Sequence, residues 1–181
     1  MKILPIIRRY RILRLYKWVL RLKSWVAGLI IGSTVPIFKY ISPETHWPFT
    51  LEQQRQLPEG TLGRDIARTL DRAGYKLIPK FESHDAEHIL FDYPMTGLGE
   101  IRLQFFLHGN GKRSWVSVGT ILFGLGSFPE LFWLFIKDYQ RGKQFRSLKA
   151  INLGTYLTRN TLAIREELQD QRGLCTNAFS L

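Results

Sequence analysis

Residues 83–109 run Ser83-His84-Asp85-Ala86-Glu87-His88-Ile89-Leu90-Phe91-Asp92-Tyr93-Pro94-Met95-Thr96-Gly97-Leu98-Gly99-Glu100-Ile101-Arg102-Leu103-Gln104-Phe105-Phe106-Leu107-His108-Gly109. Two helices and a turn account for this stretch. Ser83 is a candidate N-cap for a helix through about Phe91, closed by Asp92-Tyr93-Pro94, because the residue before a proline is pushed out of the helical region. A second helix spans 98–108 and stops at Gly109-Asn110-Gly111. In the first helix His84 and His88 stand four apart, so both imidazoles project from one face, with Asp85 beside them. The turn at 94–98 sends the chain back and brings Glu100, at the start of the second helix, level with the histidines.

Helical punctuation continues on both sides. Thr50-Leu51-Glu52-Gln53 is a capping box for a short helix ending before Pro58. Thr61 opens a helix over 62–73, with Leu62, Ile66 and Leu70 on one stripe and Gly74 as its stop. Residues 114–125 are apolar and fit a buried helix or a buried strand, which periodicity does not separate. Ser127-Phe128-Pro129-Glu130 reads as a capping box for a helix, apolar nearly all round, that ends at Arg141-Gly142. A last helix covers about 156–171. No alternating strand pair is evident, so the expected class is all-α, a single helical domain.

Charge separates the N-terminus from the rest. The chain of 181 residues carries 26 Lys+Arg, 15 Asp+Glu and a net charge of +11. Residues 1–43 hold nine of the basic side chains and no acidic one, leaving 17 basic and 15 acidic in the remainder. The expected organisation is a basic amphipathic arm (1–43), a helical metal-binding domain (44–172) and a flexible tail (173–181). Within the arm, 11–22 reads as a helix with Arg11, Arg14, Lys17 and Arg21 on one face and Ile12, Leu13, Leu15, Tyr16, Val19 and Leu20 opposite. The apolar run Trp25–Ile31 ends at Gly32, and 32–50, with Pro36, Pro43 and Pro48, reads as a linker. Three readings of the arm stand: a helix lying in a membrane interface attracted to anionic lipids, a solvated helix packed on its own domain, or a cleaved targeting segment. The first fits the basic and aromatic pattern best. A spanning helix is not expected, because Arg21 and Lys23 interrupt every long apolar stretch. A nearly neutral body argues against nucleic acid as a partner.

The single cysteine, Cys175, excludes a disulfide scaffold and multi-cysteine metal sites. Two histidines and nearby carboxylates suit Zn²⁺ or another first-row divalent ion, with His84, Asp85, His88 and Glu100 as the candidate ligands. Spacing alone is weak support, since most helical pairs of this kind bind nothing. Glu87 is three residues from His84, so the protease pattern H-E-x-x-H is absent. A phosphohydrolase of the His-Asp type would use His46 upstream, but that residue falls in the linker and no convincing distal Asp follows. His46 and His108 read as surface or supporting residues.

The stretch His84-Asp85-x-x-His88, eleven further residues, then Glu100 within Leu98-Gly99-Glu100 resembles the signature of the coenzyme Q (ubiquinone) biosynthesis protein 4 family. Leu57-Pro58-Glu59-Gly60-Thr61-Leu62-Gly63-Arg64, Tyr139-Gln140-Arg141-Gly142-Lys143 and Arg165-Glu166-Glu167-Leu168 are similar to its flanking parts, in register over about 50–171. Two departures stand out: Asp92 replaces a glycine usual in the family, and the 75–82 segment is short and contains Pro79. The resemblance implies a helical, membrane-peripheral protein of ubiquinone biosynthesis that binds a divalent metal, zinc first. The implied reaction removes the ring C1 carboxylate of a polyprenyl-hydroxybenzoate, coupled to hydroxylation at that carbon, with Glu100 as candidate general acid or base. The implied alternative is a non-catalytic lipid-binding scaffold with a structural metal. Implied partners are the polyprenylated aromatic substrate, a membrane surface and other quinone-biosynthesis proteins. The implied location is the cytoplasmic face of a bacterial inner membrane or the matrix face of the mitochondrial one. Trp115–Leu125 with Phe128–Ile136 are candidates for an isoprenoid slot, with ordinary core packing as the alternative.

Overall fold

The computed structural model describes residues 3–41 and 47–169. His46, Cys175 and the 173–181 tail lie outside these, as do the side chains of Arg11 and Ile12. Eight α-helices make up the described chain: α1 (Ile3–Ile41), α2 (Leu51–Arg55), α3 (Leu62–Ala73), α4 (Glu82–Leu90), α5 (Gly97–Gly109), α6 (Trp115–Ser127), α7 (Phe132–Lys143) and α8 (Thr161–Leu168). Short 3₁₀ turns occupy Pro129–Leu131, Leu148–Ala150 and Leu153–Tyr156. Among the described residues there is no strand, only two isolated bridges, Thr61 with Asn160 and Phe145 with Gln169. The all-α class is as expected.

Helix α5 is the hub, because it is apolar on two sides and feeds both halves of the core. Leu103, Phe106 and Leu107 join Leu62, Ile66, Leu70, Leu90, Phe91 and Ile164 in the larger cluster. Ile101 and Phe105 join Ala27, Phe128 and Phe135 in the smaller one. Removing such side chains from water contributes roughly 1.5–3 kcal/mol each, which ties α3, α4, α5 and α8 into one core and fixes α4 beside the start of α5.

Several boundaries differ from the sequence reading. The arm and the linker are one helix, α1, running through Gly32 and Pro36. Pro36 removes one hydrogen bond to the carbonyl of Gly32, but Gly32 is exposed, so water takes that carbonyl and the helix continues. Ser83 is inside α4; Phe81 holds the cap position without a side-chain bond, and Glu82 and Asp85 supply negative charge to the first turn. Ser127 ends α6 instead of capping α7, and Glu130 bonds Lys23 of α1 at 2.6 Å. Helix α6 is a helix but only partly buried, with Ser117 and Gly124 its fully covered residues and Ile121, Phe123 and Leu125 packed on the smaller core. Helix α7 exposes Phe132 and Trp133 and buries Phe135, Asp138 and Gly142. The last helix begins at Thr161, where the Asn160 side chain accepts from the amides of Leu162 and Ala163. Other cues hold: the Thr50 capping box is formed at both ends, and Gly74 closes α3 in the left-handed conformation at φ 68°.

Candidate metal centre

Glu100 enters from the first turn of α5, where Thr96 caps the helix by accepting from the Gly99 amide. His84 and His88 project from one face of α4 toward it. Their Nε2 atoms meet the same carboxylate oxygen, Glu100 Oε2, at 2.8 and 2.9 Å. One donor atom from each of the three residues lies within 4.8 Å of the others. The second oxygen of Glu100 accepts from Gln104 Nε2 at 2.9 Å, which fixes the carboxylate's rotation. The convergence of Glu100 with the two histidines expected from the sequence is therefore what the fold builds.

The donor set fits a divalent cation. His88 Nδ1 lies 3.1 Å from the Tyr93 carbonyl, which only accepts, so the Nδ1 proton is fixed and Nε2 is left for the centre. A neutral His88 would then point a lone pair at a carboxylate oxygen, as two acceptors in contact. Positive charge between them, a proton or a metal ion, resolves that arrangement. Imidazole with carboxylate is the donor chemistry of zinc, iron and related ions. Burial works against charge on His84, but the carboxylates of Glu100 and Glu87 outweigh it and raise its pKa well above 6.5. Glu100 is held well below the usual carboxylate range, since both histidines outweigh the effect of burial.

Asp85, the fourth sequence candidate, is not one of the three converging residues. It lines the same cleft half-buried, and burial pushes its carboxyl up to about 6. His108 stands apart, in a cavity of about 350 Å³ with Phe105, Ile136 and Tyr139. Two groups escaped the sequence reading. Gln104 sits one turn beyond Glu100, a spacing that could have flagged it. Glu87 is 1% exposed and paired with Lys112, and only its i+3 relation to His84 was visible beforehand.

The centre forms one wall of a cleft of about 1390 Å³ that extends between α1 and α6. Ser24, Trp25 and Gly28 line it from α1, and Trp115, Gly119 and Phe123 from α6. The Trp115–Leu125 half of the expected slot therefore lines the cleft, whereas Phe128 and Phe135 are fully buried in the smaller core. Asp92 follows the α4 C-cap with φ 57°. Arg165 of α8 pairs with its carboxylate at 2.6 Å and donates to the carbonyls of Leu90 and Ile89, satisfying the end of the histidine-bearing helix.

No family model and no curated protein matches the chain. Among solved structures, a protein of Nostoc punctiforme PCC 73102 described as a "Putative ubiquinone biosynthesis protein" is similar, with TM-score 0.57 and 24% identity over 81% of each chain. That likeness shows a shared helical fold.

Proposed function

We propose that this chain is a ubiquinone-biosynthesis protein of the coenzyme Q biosynthesis protein 4 type, which removes the C1 carboxylate of a polyprenyl-hydroxybenzoate at a membrane surface. The observation that carries the reading is one cavity with two chemistries: the His84, His88 and Glu100 cluster at one end and an apolar trough between α1 and α6 at the other. An aromatic acid bearing an isoprenoid tail has the same division. The name of the structural neighbour from Nostoc punctiforme supports the pathway.

In this reading His84, His88 and Glu100 hold a divalent ion, zinc first, with Asp85 facing the same cleft. When bound, the ion supplies Lewis acidity toward the ring carboxylate or phenolate. The protein's own groups do the rest. Gln104 and the Tyr93 carbonyl orient Glu100 and His88. Trp25, Trp115 and Phe123 line the trough that takes the tail. Glu100, from a different helix than the histidines, would carry a proton to the ring carbon only where bound substrate frees its carboxylate from the ion.

The membrane is the proposed meeting place. Trp18, Trp25, Trp115 and Trp133 are all more than half exposed, and Arg14, Lys17 and Arg21 are exposed along α1. Aromatic and basic side chains together suit a bilayer interface on the cytoplasmic or matrix face. No single described helix is long and apolar enough to cross it.

The test combines elemental analysis with a decarboxylation assay on farnesylated hydroxybenzoate. About one divalent ion per chain and turnover lost in Glu100→Ala, with the circular dichroism retained, are the expected results. Full turnover by a metal-free preparation overturns the proposal.

A further inference from the structure

We propose that Glu87 is a positioning residue for His84, fixing the imidazole with its proton on Nδ1 so that Nε2 is presented to the centre. This rests on the metal reading above and assigns a role within it to a residue outside the donor set.

The carboxylate of Glu87 is 1% exposed, a costly place for a charge. An apolar side chain on the inner face of α4, beside Ala86 and Leu90, would pack there at no such cost. Two contacts account for the charge. One oxygen, Oε1, pairs with Lys112, which the turn after α5 brings over α4. The other, Oε2, lies 3.8 Å from His84 Nδ1, so a negative charge faces the ring nitrogen that points away from Glu100. The Lys112 pair engages Oε1 alone, so Oε2 faces the histidine independently of it.

The two histidines are then arranged alike, through a hydrogen bond behind His88 and a longer charge contact behind His84. His88 has a main-chain carbonyl against Nδ1 and Glu100 against Nε2. His84 has the Glu87 carboxylate against Nδ1 and the same Glu100 oxygen against Nε2. A partner behind a ligating imidazole selects its tautomer and raises its basicity, and its loss typically lowers metal affinity by roughly 10–100-fold. A carboxylate behind the more exposed histidine also adds negative charge beside the ion.

The experiment uses the full chain with Glu87→Gln, Glu87→Leu and Lys112→Met, and two readouts. Zinc affinity is measured by competition against a chromophoric chelator, and the His84 tautomer by ¹⁵N shifts in the metal-free protein at a pH above its raised transition, where the ring is neutral. Expected are an Nδ1-protonated His84 in wild type, a mixed tautomer in Glu87→Leu, and zinc affinity lowered about 10-fold in Glu87→Gln and nearer 100-fold in Glu87→Leu. Lys112→Met breaks the same ion pair but leaves Glu87 facing His84, so affinity stays within about threefold even as the melting temperature falls. Equal losses in Glu87→Leu and Lys112→Met would make the effect one of folding and overturn the proposal. So would unchanged affinity in Glu87→Leu, or an unchanged tautomer. If wild type binds no zinc, the metal reading fails, and the tautomer of the metal-free protein still decides the role of Glu87.

Discussion

Gly97 is where α1 and α5 come close enough for backbone to touch backbone, and Gly97→Ala tests whether that contact holds the cleft wall in place. A Cβ at Gly97 would lie 2.3 Å from the Gly28 amide nitrogen, 2.3 Å from the Ser24 carbonyl oxygen and 2.8 Å from the Ala27 carbonyl carbon. Ordinary contact begins near 3.4 Å, so α1 must retreat by about 1 Å. None of the crowded atoms is a flexible side-chain end, so no rotamer change relieves them. The retreat stretches the 3.0 Å bond from the Leu98 amide to Ser24 Oγ, about 1 kcal/mol, and loosens the cover over Ala27. Forcing a methyl into a filled seam costs about 1–3 kcal/mol, against at most about 1 kcal/mol gained from alanine's helix propensity. Hydrogen exchange is the appropriate assay, because the strain is confined to one seam. Amides of residues 13–34 should lose roughly 5- to 30-fold in protection, while those of α5 and α7 keep theirs. Gly119→Ala is the control: nothing lies within 4 Å of its Cβ position, and no loss of protection is expected. Unchanged α1 exchange in Gly97→Ala would refute the reasoning.

Three further predictions concern the centre and its surroundings. Asp92→Gly removes a left-handed penalty of about 1 kcal/mol and an exposed ion pair of at most similar size, so its urea midpoint should match or exceed wild type, whereas Asp92→Val should lose about 1–2 kcal/mol; a clear loss in Asp92→Gly would contradict this account. For the metal-free protein, His84 has a raised pKa, so its contribution is complete below 6.5 and is lost as pH rises through the folded value. Glu100 has a lowered pKa, so its contribution is complete above 4.5 and is lost as pH falls through the folded value. The melting temperature without metal should therefore peak between these limits and decline toward alkaline pH. With zinc the alkaline decline should vanish, because uptake displaces protons. Parallel profiles with and without zinc would count against the centre. Gln104→Leu should leave the fold intact and weaken zinc binding about 10-fold by freeing the Glu100 carboxylate; unaltered binding in a chelator competition would show that Glu100 needs no such support.

What was legible in the sequence was legible for local reasons. Thr50 with Gln53, Gly74, and the four-residue spacing of His84 and His88 each act within one turn of helix, where the chain itself supplies both partners. The convergence of Glu100 followed because a turn of only a few residues keeps the first turn of α5 beside α4. The failures share the opposite character. Ser127 and Glu130 form a good capping box on paper, but Glu130 finds Lys23, 107 positions away. Glu87 becomes a buried carboxylate only through Lys112, 25 positions away. Pro36 breaks a helix only where its orphaned carbonyl is buried, and exposure around Gly32 is not written in the local sequence.

The continuity of α1 changes the meaning of the charge concentrated on it. An arm joined by a loose linker would tether the protein to a surface without affecting the cleft. A single helix pinned to α5 at Ser24, Ala27 and Gly28 would do both, because Trp25 and Gly28 line the cleft while Leu15, Trp18 and Leu22 stay exposed. Anionic headgroups gripping this helix would thus hold the mouth of the trough at the depth where an isoprenoid tail lies. The charges can be tested without disturbing the seam, since Arg14 and Lys17 are exposed and away from it. Arg14→Gln with Lys17→Gln removes two basic groups worth about 1 kcal/mol each near an anionic surface, so partitioning onto phosphatidylglycerol vesicles should fall about 30-fold. Zinc content and the affinity for a soluble, short-tailed hydroxybenzoate should not change, because α4 and α5 build the centre alone. If vesicle binding survives the double substitution, the helix serves only as a wall, and the bilayer must be met by the tryptophans of α6 and α7.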